Sequence, residues 1–451
     1  MSDLHLNRFG PIVDLADPYP KLGFVTDVVG LVIEAYCPSA QVGSVFQIET
    51  ENRSSWIEAE VVGFRLDKTL LMPLDEMKGL RRGAKLRQLR KAATLRVGPE
   101  LMGRVLDGRG RPLDGKPDAQ CEEEFYLYSS PINPLRRSRI QEPLDLGIRA
   151  INSMISVGKG MRLGIMAGSG VGKSVLLGMM AKSSSAHVNV IGMVGERGRE
   201  LREFVEEVLG EEGMARSIVV CATSDMPALV RMRAAFVATT IAEYFRSTGK
   251  DVLLMMDSVS RFAMAQREVG LSTGEPPTTK GYPPSVFSTL PRIFERVGGL
   301  QSGGSITGIY TVLTEGDEVN DVIGDAVRSI VDGHLILSRK LAARGHFPAI
   351  DVSNSTSRVM PSITTQEHLG YSARIRKIIA SYAEAEDLIN IGAYVKGSNP
   401  QIDEAIRYIG PIRKFLTQAM DERASFEQSR LEMQRIFAEK SGAAQKSEAT
   451  G

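Results

Sequence analysis

The consecutive residues Ala167-Gly168-Ser169-Gly170-Val171-Gly172-Lys173-Ser174 have the types and spacing needed to hold a polyphosphate. Phosphate oxygens are satisfied by backbone N–H groups that converge on one point, and convergence needs backbone conformations that a Cβ disfavours; Gly168, Gly170 and Gly172 supply them. Ser169 and Val171 contribute their N–H groups to the same loop. Lys173 brings a cation that reaches the β- and γ-phosphates, and the Ser174 hydroxyl is placed to ligate Mg²⁺. The apolar run Arg162-Leu163-Gly164-Ile165-Met166 leads into the loop and a helix-period run, Val175-Leu176-Leu177-Gly178-Met179-Met180, leads out of it. A turn that only packs a helix on a sheet explains the glycines but not strand, loop, Lys-Ser pair and helix in this order. The first motif position is Ala167 instead of glycine, which requires only a negative φ there.

Two carboxylates extend the chemistry. The run Val252-Leu253-Leu254-Met255-Met256-Asp257 is an apolar strand ending in an acid, and Asp257 would hold Mg²⁺ directly or through water. A carboxylate in that place can also cap the next helix. Ser258, Ser260 and Arg261 follow it, and Arg261 reads as a support rather than a catalyst. The segment Val194-Gly195-Glu196-Arg197-Gly198-Arg199-Glu200 follows another apolar strand, so Glu196 falls at a carboxyl end, where open α/β sheets bind ligands. Hydrolysis needs a group that orients and deprotonates water; Glu196 is the candidate base, with Arg197 beside it. The alternative is that both are charges at the N-terminus of a helix beginning near Glu200.

These groups need a sheet to stand on, and the sequence supplies one. From Pro143 to about Val359, short apolar runs such as His187-Val188-Asn189-Val190-Ile191-Gly192-Met193-Val194 and Ser217-Ile218-Val219-Val220-Cys221-Ala222-Thr223 alternate with helix-period stretches. Near-continuous apolar strands are what a parallel sheet covered on both faces requires, and the alternation predicts a doubly wound α/β core over residues 143–360. Residues 22–97, rich in β-branched types and broken by glycines, predict a small barrel or sandwich. Glycines, prolines and the basic Arg136, Arg137 and Arg139 make 98–142 a linker by composition. After Pro361 the pattern turns helical to about Glu439, with a long final stretch from Ile412, and residues 440–451 are small and polar, as in a disordered tail.

Composition excludes several classes. Among 451 residues, 55 Lys+Arg balance 54 Asp+Glu, so a strongly basic nucleic-acid binder is not expected. No run reaches membrane-span length and the start lacks a signal-peptide pattern, which predicts a cytoplasmic protein. Cys37, Cys121 and Cys221 are odd in number and far apart, offering neither a disulfide framework nor zinc spacing.

The stretch Pro348-Ala349-Ile350-Asp351-Val352-Ser353-Asn354-Ser355-Thr356-Ser357-Arg358 resembles the signature of the hexameric ATPases related to rotary ATP synthases, and the likeness spans nearly the whole chain. It implies a RecA-like P-loop core with a mostly parallel sheet, an N-terminal β-barrel that holds a ring together, and a C-terminal helical domain. It also implies ATP and Mg²⁺ as ligands, Glu196 as the catalytic glutamate, Arg358 as an arginine finger acting on a neighbouring subunit, and Phe347 and Phe415 as aromatics stacking on adenine. Either aromatic could equally be core.

Within that superfamily, Gly195-Glu196-Arg197-Gly198-Arg199-Glu200-Leu201-Arg202-Glu203-Phe204 and Ala383-Glu384-Ala385-Glu386-Asp387-Leu388-Ile389-Asn390-Ile391-Gly392-Ala393-Tyr394-Val395-Lys396-Gly397 are similar to the type III protein-export ATPases, flagellar or injectisome. The flagellar branch is the expectation. The likeness implies a homohexamer at the inner membrane, met by a stator-like regulator, a central-stalk-like protein, export-gate membrane proteins and chaperone–substrate complexes; the N-terminal segment 1–21 is short, and Gly10-Pro11 interrupts its apolar residues. Other readings are an injectisome ATPase, a rotary synthase subunit and a ring-shaped RNA translocase. Glu196 speaks against a subunit that only stores nucleotide, and the absence of an aromatic-basic stripe speaks against RNA.

Overall fold

The computed structural model describes residues 22–51, 55–314 and 321–438. The short N-terminal segment 1–21 and the tail 440–451 lie outside the described residues. The described residues divide into two compact units: one comprises those of 22–94 together with Glu268–Pro276, and the other Leu95–Arg267 and those of 277–438.

The first unit is a closed antiparallel barrel. Strands β1 (Leu22–Val29), β2 (Val32–Tyr36), β3 (Val45–Glu49), β4 (Trp56–Arg65), β5 (Lys68–Pro73) and β6 (Lys85–Arg90) follow one another around it in the order β1-β2-β5-β4-β3-β6. Closure removes the exposed edges that a six-stranded sheet would otherwise present. The β-branched and glycine-punctuated pattern is satisfied by alternation, with Ile33, Ala35, Phe46, Ile48, Ala59, Leu71 and Leu86 filling the interior.

The second unit is built on an eight-stranded sheet. After β7 (Thr94–Val97) come β8 (Val105–Asp107), β9 (Glu123–Tyr126), β10 (Arg162–Ala167), β11 (Val188–Glu196), β12 (Ser217–Thr223), β13 (Asp251–Asp257), β14 (Ser305–Leu313), β15 (Gly333–Leu337) and β16 (Thr356–Ser357). The order across the sheet is β16-β15-β10-β14-β13-β11-β12-β8, and every neighbouring pair is parallel except β15 with β16. Every residue of β11 is buried, which explains why the strand reads as unbroken apolar sequence. The helix Ala228–Ser247 covers β11, β12 and β13 on one face.

Two sequence expectations are corrected here. The stretch 98–142 is no free linker: β8 pairs with β12 at the sheet edge, β9 pairs with β7, and Arg104 grips Asp114 through Nε at 2.7 Å and Nη2 at 3.0 Å. Glycine and proline there serve tight turns within a packed segment. The final helical stretch is not continuous either. The helix Pro400–Leu416 runs through Pro411, stops at Leu416, and gives way to irregular chain before Phe426–Ala438.

These two helices and Gln366–Asn390 pack on the short helix Arg149–Met154, so Ile375, Ile378, Ile412 and Met433 share one core with Ile151 and Met154. Among the described residues no helix is long and apolar enough to cross a membrane.

Candidate active site

β10 ends at Ala167, and the chain turns through Gly168–Gly172 into the helix Lys173–Ser183. Gly170 and Gly172 adopt φ of +77° and +87°, the left-handed region that an added Cβ would strain. Gly168 is not among the positive-φ glycines; a Cβ there would lie 2.7 Å from the Arg339 Nε, so the guanidinium packs close over the loop at this glycine. Ser174 is exposed in the first turn of the helix, leaving its hydroxyl available.

The carboxyl ends of three strands converge on this loop. Asp257 closes β13, is 4% exposed, and pairs with the Lys173 ammonium through Oδ1. The same Oδ1 accepts a hydrogen bond from Thr311 Oγ1 at 2.7 Å, and the Asp257–Ser258 peptide is cis. Glu196 closes β11. A bulge with Gly195 at φ +71° sits just before it, a device that re-aims a side chain at the end of a strand.

Glu196 is buried, its Oε1 has no hydrogen-bond partner, and burial together with the negative charge of Asp257 pushes its carboxyl up to about 7. Lys173 and Arg261 pull the other way. Arg261 packs its side chain against Gly195, where an added Cβ would lie 3.0 Å from its own Cβ; it is a positive counterweight, as expected of a support.

Among the described residues no group of three or more His, Cys, Asp or Glu could hold a metal by itself. The donors present are an exposed Ser174 hydroxyl and the Asp257 carboxylate beside Lys173. That set fits Mg²⁺, which prefers one or two protein oxygens plus water and phosphate to an all-protein cage.

The other expected residues fall at different distances from this centre. Arg197 occupies the N-cap position of the helix Gly198–Glu203, which starts two residues before the expected point. Its side chain is exposed and lies 3.6 Å from Glu200, with no ion pair to Asp257 among the described residues. Phe347 is 43% exposed and, with Val171, Gly172, Val175 and Met420, lines a cavity of about 340 Å³ beside the phosphate loop.

Phe415 does not enter that cavity. It is buried in the core, and the Arg149 guanidinium lies 5.9 Å from its ring centroid. The wall it was expected to form is made by Gln418, Ala419 and Met420 from the irregular chain after Leu416. No local signal in the sequence marks these three; proximity to Phe347 is made by the fold.

Arg358 lies at the far end of the same sheet edge. Ser357 pairs with Gly333 at the start of β15, Gly333 is opposite Leu163, and the phosphate loop begins after Ala167, which is opposite Leu337. The intervening strand is about 13 Å long at ~3.3 Å per residue. Arg358 is exposed and makes no ion pair among the described residues.

The chain is similar to known proteins over most of its length. Residues 147–357 match the model of the ATP synthase alpha/beta family nucleotide-binding domain, 25–90 the beta-barrel domain of that family, and 364–435 the T3SS EscN ATPase C-terminal domain. The flagellum-specific ATP synthase of Bacillus subtilis is 50% identical over 418 residues, covering 92% of this chain and 95% of that protein. The type 3 secretion system ATPase of Xanthomonas euvesicatoria is 47% identical, covering 90% and 92%.

The assembled ATPase EscN from the type III secretion system of enteropathogenic E. coli superposes with a TM-score of 0.86 at 46% identity, covering 92% of this chain and 99% of that one. Its complex with the central stalk EscO superposes with a TM-score of 0.85 at 44% identity, with the same coverage. The chain therefore belongs to the ATP synthase alpha/beta family, in the branch that holds the flagellum-specific and type III secretion ATPases.

Proposed function

We propose that this chain is the ATP-hydrolysing motor of a flagellar type III export apparatus, working as a homohexamer that energises the unfolding and delivery of export substrates. The observation that carries the catalytic part is the meeting of Glu196, Asp257 and Lys173 beside a phosphate loop, with Glu196 poised near neutrality. A carboxyl at about 7 is half ionised near neutral pH, the condition in which a general base can take a proton from water and give it up again.

In this reading Lys173 exchanges Asp257 for the β- and γ-phosphates, and the loop N–H groups hold the chain of phosphates in line. Ser174 and Asp257 hold Mg²⁺, whose charge offsets that of the phosphates. Glu196 orients and deprotonates the attacking water. Arg358, too far along β15 to serve its own loop, stabilises the transferring phosphoryl in a neighbouring subunit. Phe347 stacks on the base. The assembly of EscN and its complex with a central stalk support a ring with an axial partner here. The stator-like regulator, the export gate, the chaperone–substrate complexes and attachment at the inner membrane are carried by the family likeness alone.

The injectisome is the second reading, favoured by the match of residues 364–435 to the T3SS EscN C-terminal domain. Introducing the chain into a motile strain that lacks its flagellar ATPase separates the two. Restored swimming supports the flagellar reading. A well-expressed, ATP-hydrolysing protein that restores effector secretion to an injectisome mutant but no motility would move the assignment to the other branch.

A further inference from the structure

We infer that Gln418 is a positioning residue for nucleotide binding, fixing the irregular segment 418–420 as one wall of the cavity that Phe347 faces. The inference rests on the reading of that cavity as the base pocket. The segment has no helical or strand ladder to hold it, since the helix ends at Leu416 and the next begins at Phe426. Glu422 Oε2 accepts from the Ala419 N–H at 3.2 Å, and the Gln418 side chain supplies the buried ties to the rest of the unit. Gln418 is 4% exposed; its Oε1 accepts from the Arg149 N–H at 2.7 Å, and its Nε2 donates to the Gly147 and Glu422 carbonyls, each at 2.8 Å.

Its backbone N–H donates to the Phe347 carbonyl at 2.9 Å, which ties this wall to the aromatic one. Both amide hydrogens are spent, so the side chain has no donor left to offer a base. Its contribution must come through the position it imposes on Ala419 and Met420.

The partners explain why no simpler residue serves. The Arg149 N–H opens the helix Arg149–Met154, whose N-cap residue Ile148 supplies no side-chain cap. Gln418 fills that vacancy from a distant part of the chain, as a capping side chain would. Arg149 answers through its guanidinium, donating to the Phe415 carbonyl at 3.2 Å and the Thr417 carbonyl at 3.0 Å and pairing with Glu422. The two residues form a reciprocal clasp between the sheet unit's first helix and the chain that lines the cavity. Truncating Gln418 leaves the buried Arg149 N–H without its acceptor and the Glu422 carbonyl without this donor, while the Gly147 carbonyl keeps the Ala424 N–H, and it loosens the wall.

The test separates base from phosphate. In the full-length protein, Gln418→Ala should weaken Mg-ADP binding by roughly tenfold, while inhibition of ATP hydrolysis by inorganic tripolyphosphate stays within about twofold of wild type. Gln418→Glu keeps the size and the acceptor for Arg149 but cannot donate to either carbonyl. It should show the same selective loss and serves as the readout if the alanine variant does not fold.

Phe347→Ala is the control for the pocket itself. If it weakens ADP and neither Gln418 variant does, or if both ligands weaken equally in the Gln418 variants, the positioning role is overturned. If Phe347→Ala and the Gln418 variants all leave ADP affinity unchanged while Lys173→Ala abolishes it, the base lies elsewhere and the pocket reading falls together with the proposal.

Discussion

Glu196 ends a strand whose residues are all buried and faces Asp257 across a site with little solvent, so its proton is held to about 7 instead of the ordinary 4.5. The consequence for rate has a definite sign. If Glu196 must be ionised to act, kcat/KM should fall as pH drops through about 7 in the free enzyme, and Glu196→Gln should abolish turnover while retaining nucleotide binding. A steady-state pH profile that stays flat between pH 5.5 and 8 would remove Glu196 from the role of base.

Stability has the opposite slope. Between roughly 4.5 and 7 the folded chain holds more protons at this position than the unfolded one, so raising pH through that window should lower the stability of the wild type. Glu196→Gln should flatten that part of the dependence in thermal melts. Lys173→Ala carries a separate expectation. Removing the one cation of the loop should eliminate measurable hydrolysis and leave Asp257 without its ammonium partner. Full activity in that variant would displace the phosphate site.

The elements divide the chain's tasks, and a substitution in one unit tests whether they are separable. Phe46 is wholly buried in the barrel among Ile33, Ile48 and Leu86, and β3 carries it between β4 and β6. Phe46→Ala removes an aromatic ring from a closed interior that cannot collapse to refill the space, which should cost about 3–5 kcal/mol of barrel stability. Scanning calorimetry should find the barrel transition lowered, with nucleotide still bound by the other unit, because the phosphate loop, Glu196 and Asp257 all stand on the eight-stranded sheet. Loss of nucleotide binding at temperatures where the sheet unit is intact would show that the two units are not independent in this sense. The barrel would then support the site directly.

At the scale of the whole molecule, the separation of Arg358 from its own phosphate loop along β15 predicts catalysis between subunits. Specific activity should rise with protein concentration as rings form, and a flat activity per subunit in a protein that light scattering finds monomeric would end the trans model. Arg358→Ala should reduce kcat by on the order of 10³- to 10⁵-fold while nucleotide affinity changes by only a few-fold, because a finger acts on charge that develops in the transition state. Mixing Arg358→Ala with Lys173→Ala subunits should restore part of the activity. Some interfaces would then pair an intact loop with an intact finger. Exchange of subunits without any recovery would place Arg358 in its own subunit or in the fold alone.

The sequence by itself determined the features that are local in the chain. The phosphate loop is contiguous, its glycines announce the turn and its Lys-Ser pair the ligand. β11 and β13 were legible because strands buried on both faces leave unbroken apolar runs, and an acid at the end of each is conspicuous. The barrel was legible from β-branched runs at regular spacing, though not its closure.

Tertiary structure alone decided which distant groups meet. Composition gave 98–142 the look of a linker because turn residues are the same whether a loop is free or, like the one that leads into β8, paired at a sheet edge. Phe415 and Met420 sit a few positions apart, yet one joins the core and the other the cavity, since the helix ends at Leu416 and the clasp of Gln418 with Arg149 turns the chain between them. That clasp joins residues 269 positions apart, and no pattern of spacing records a contact made only when the chain closes on itself.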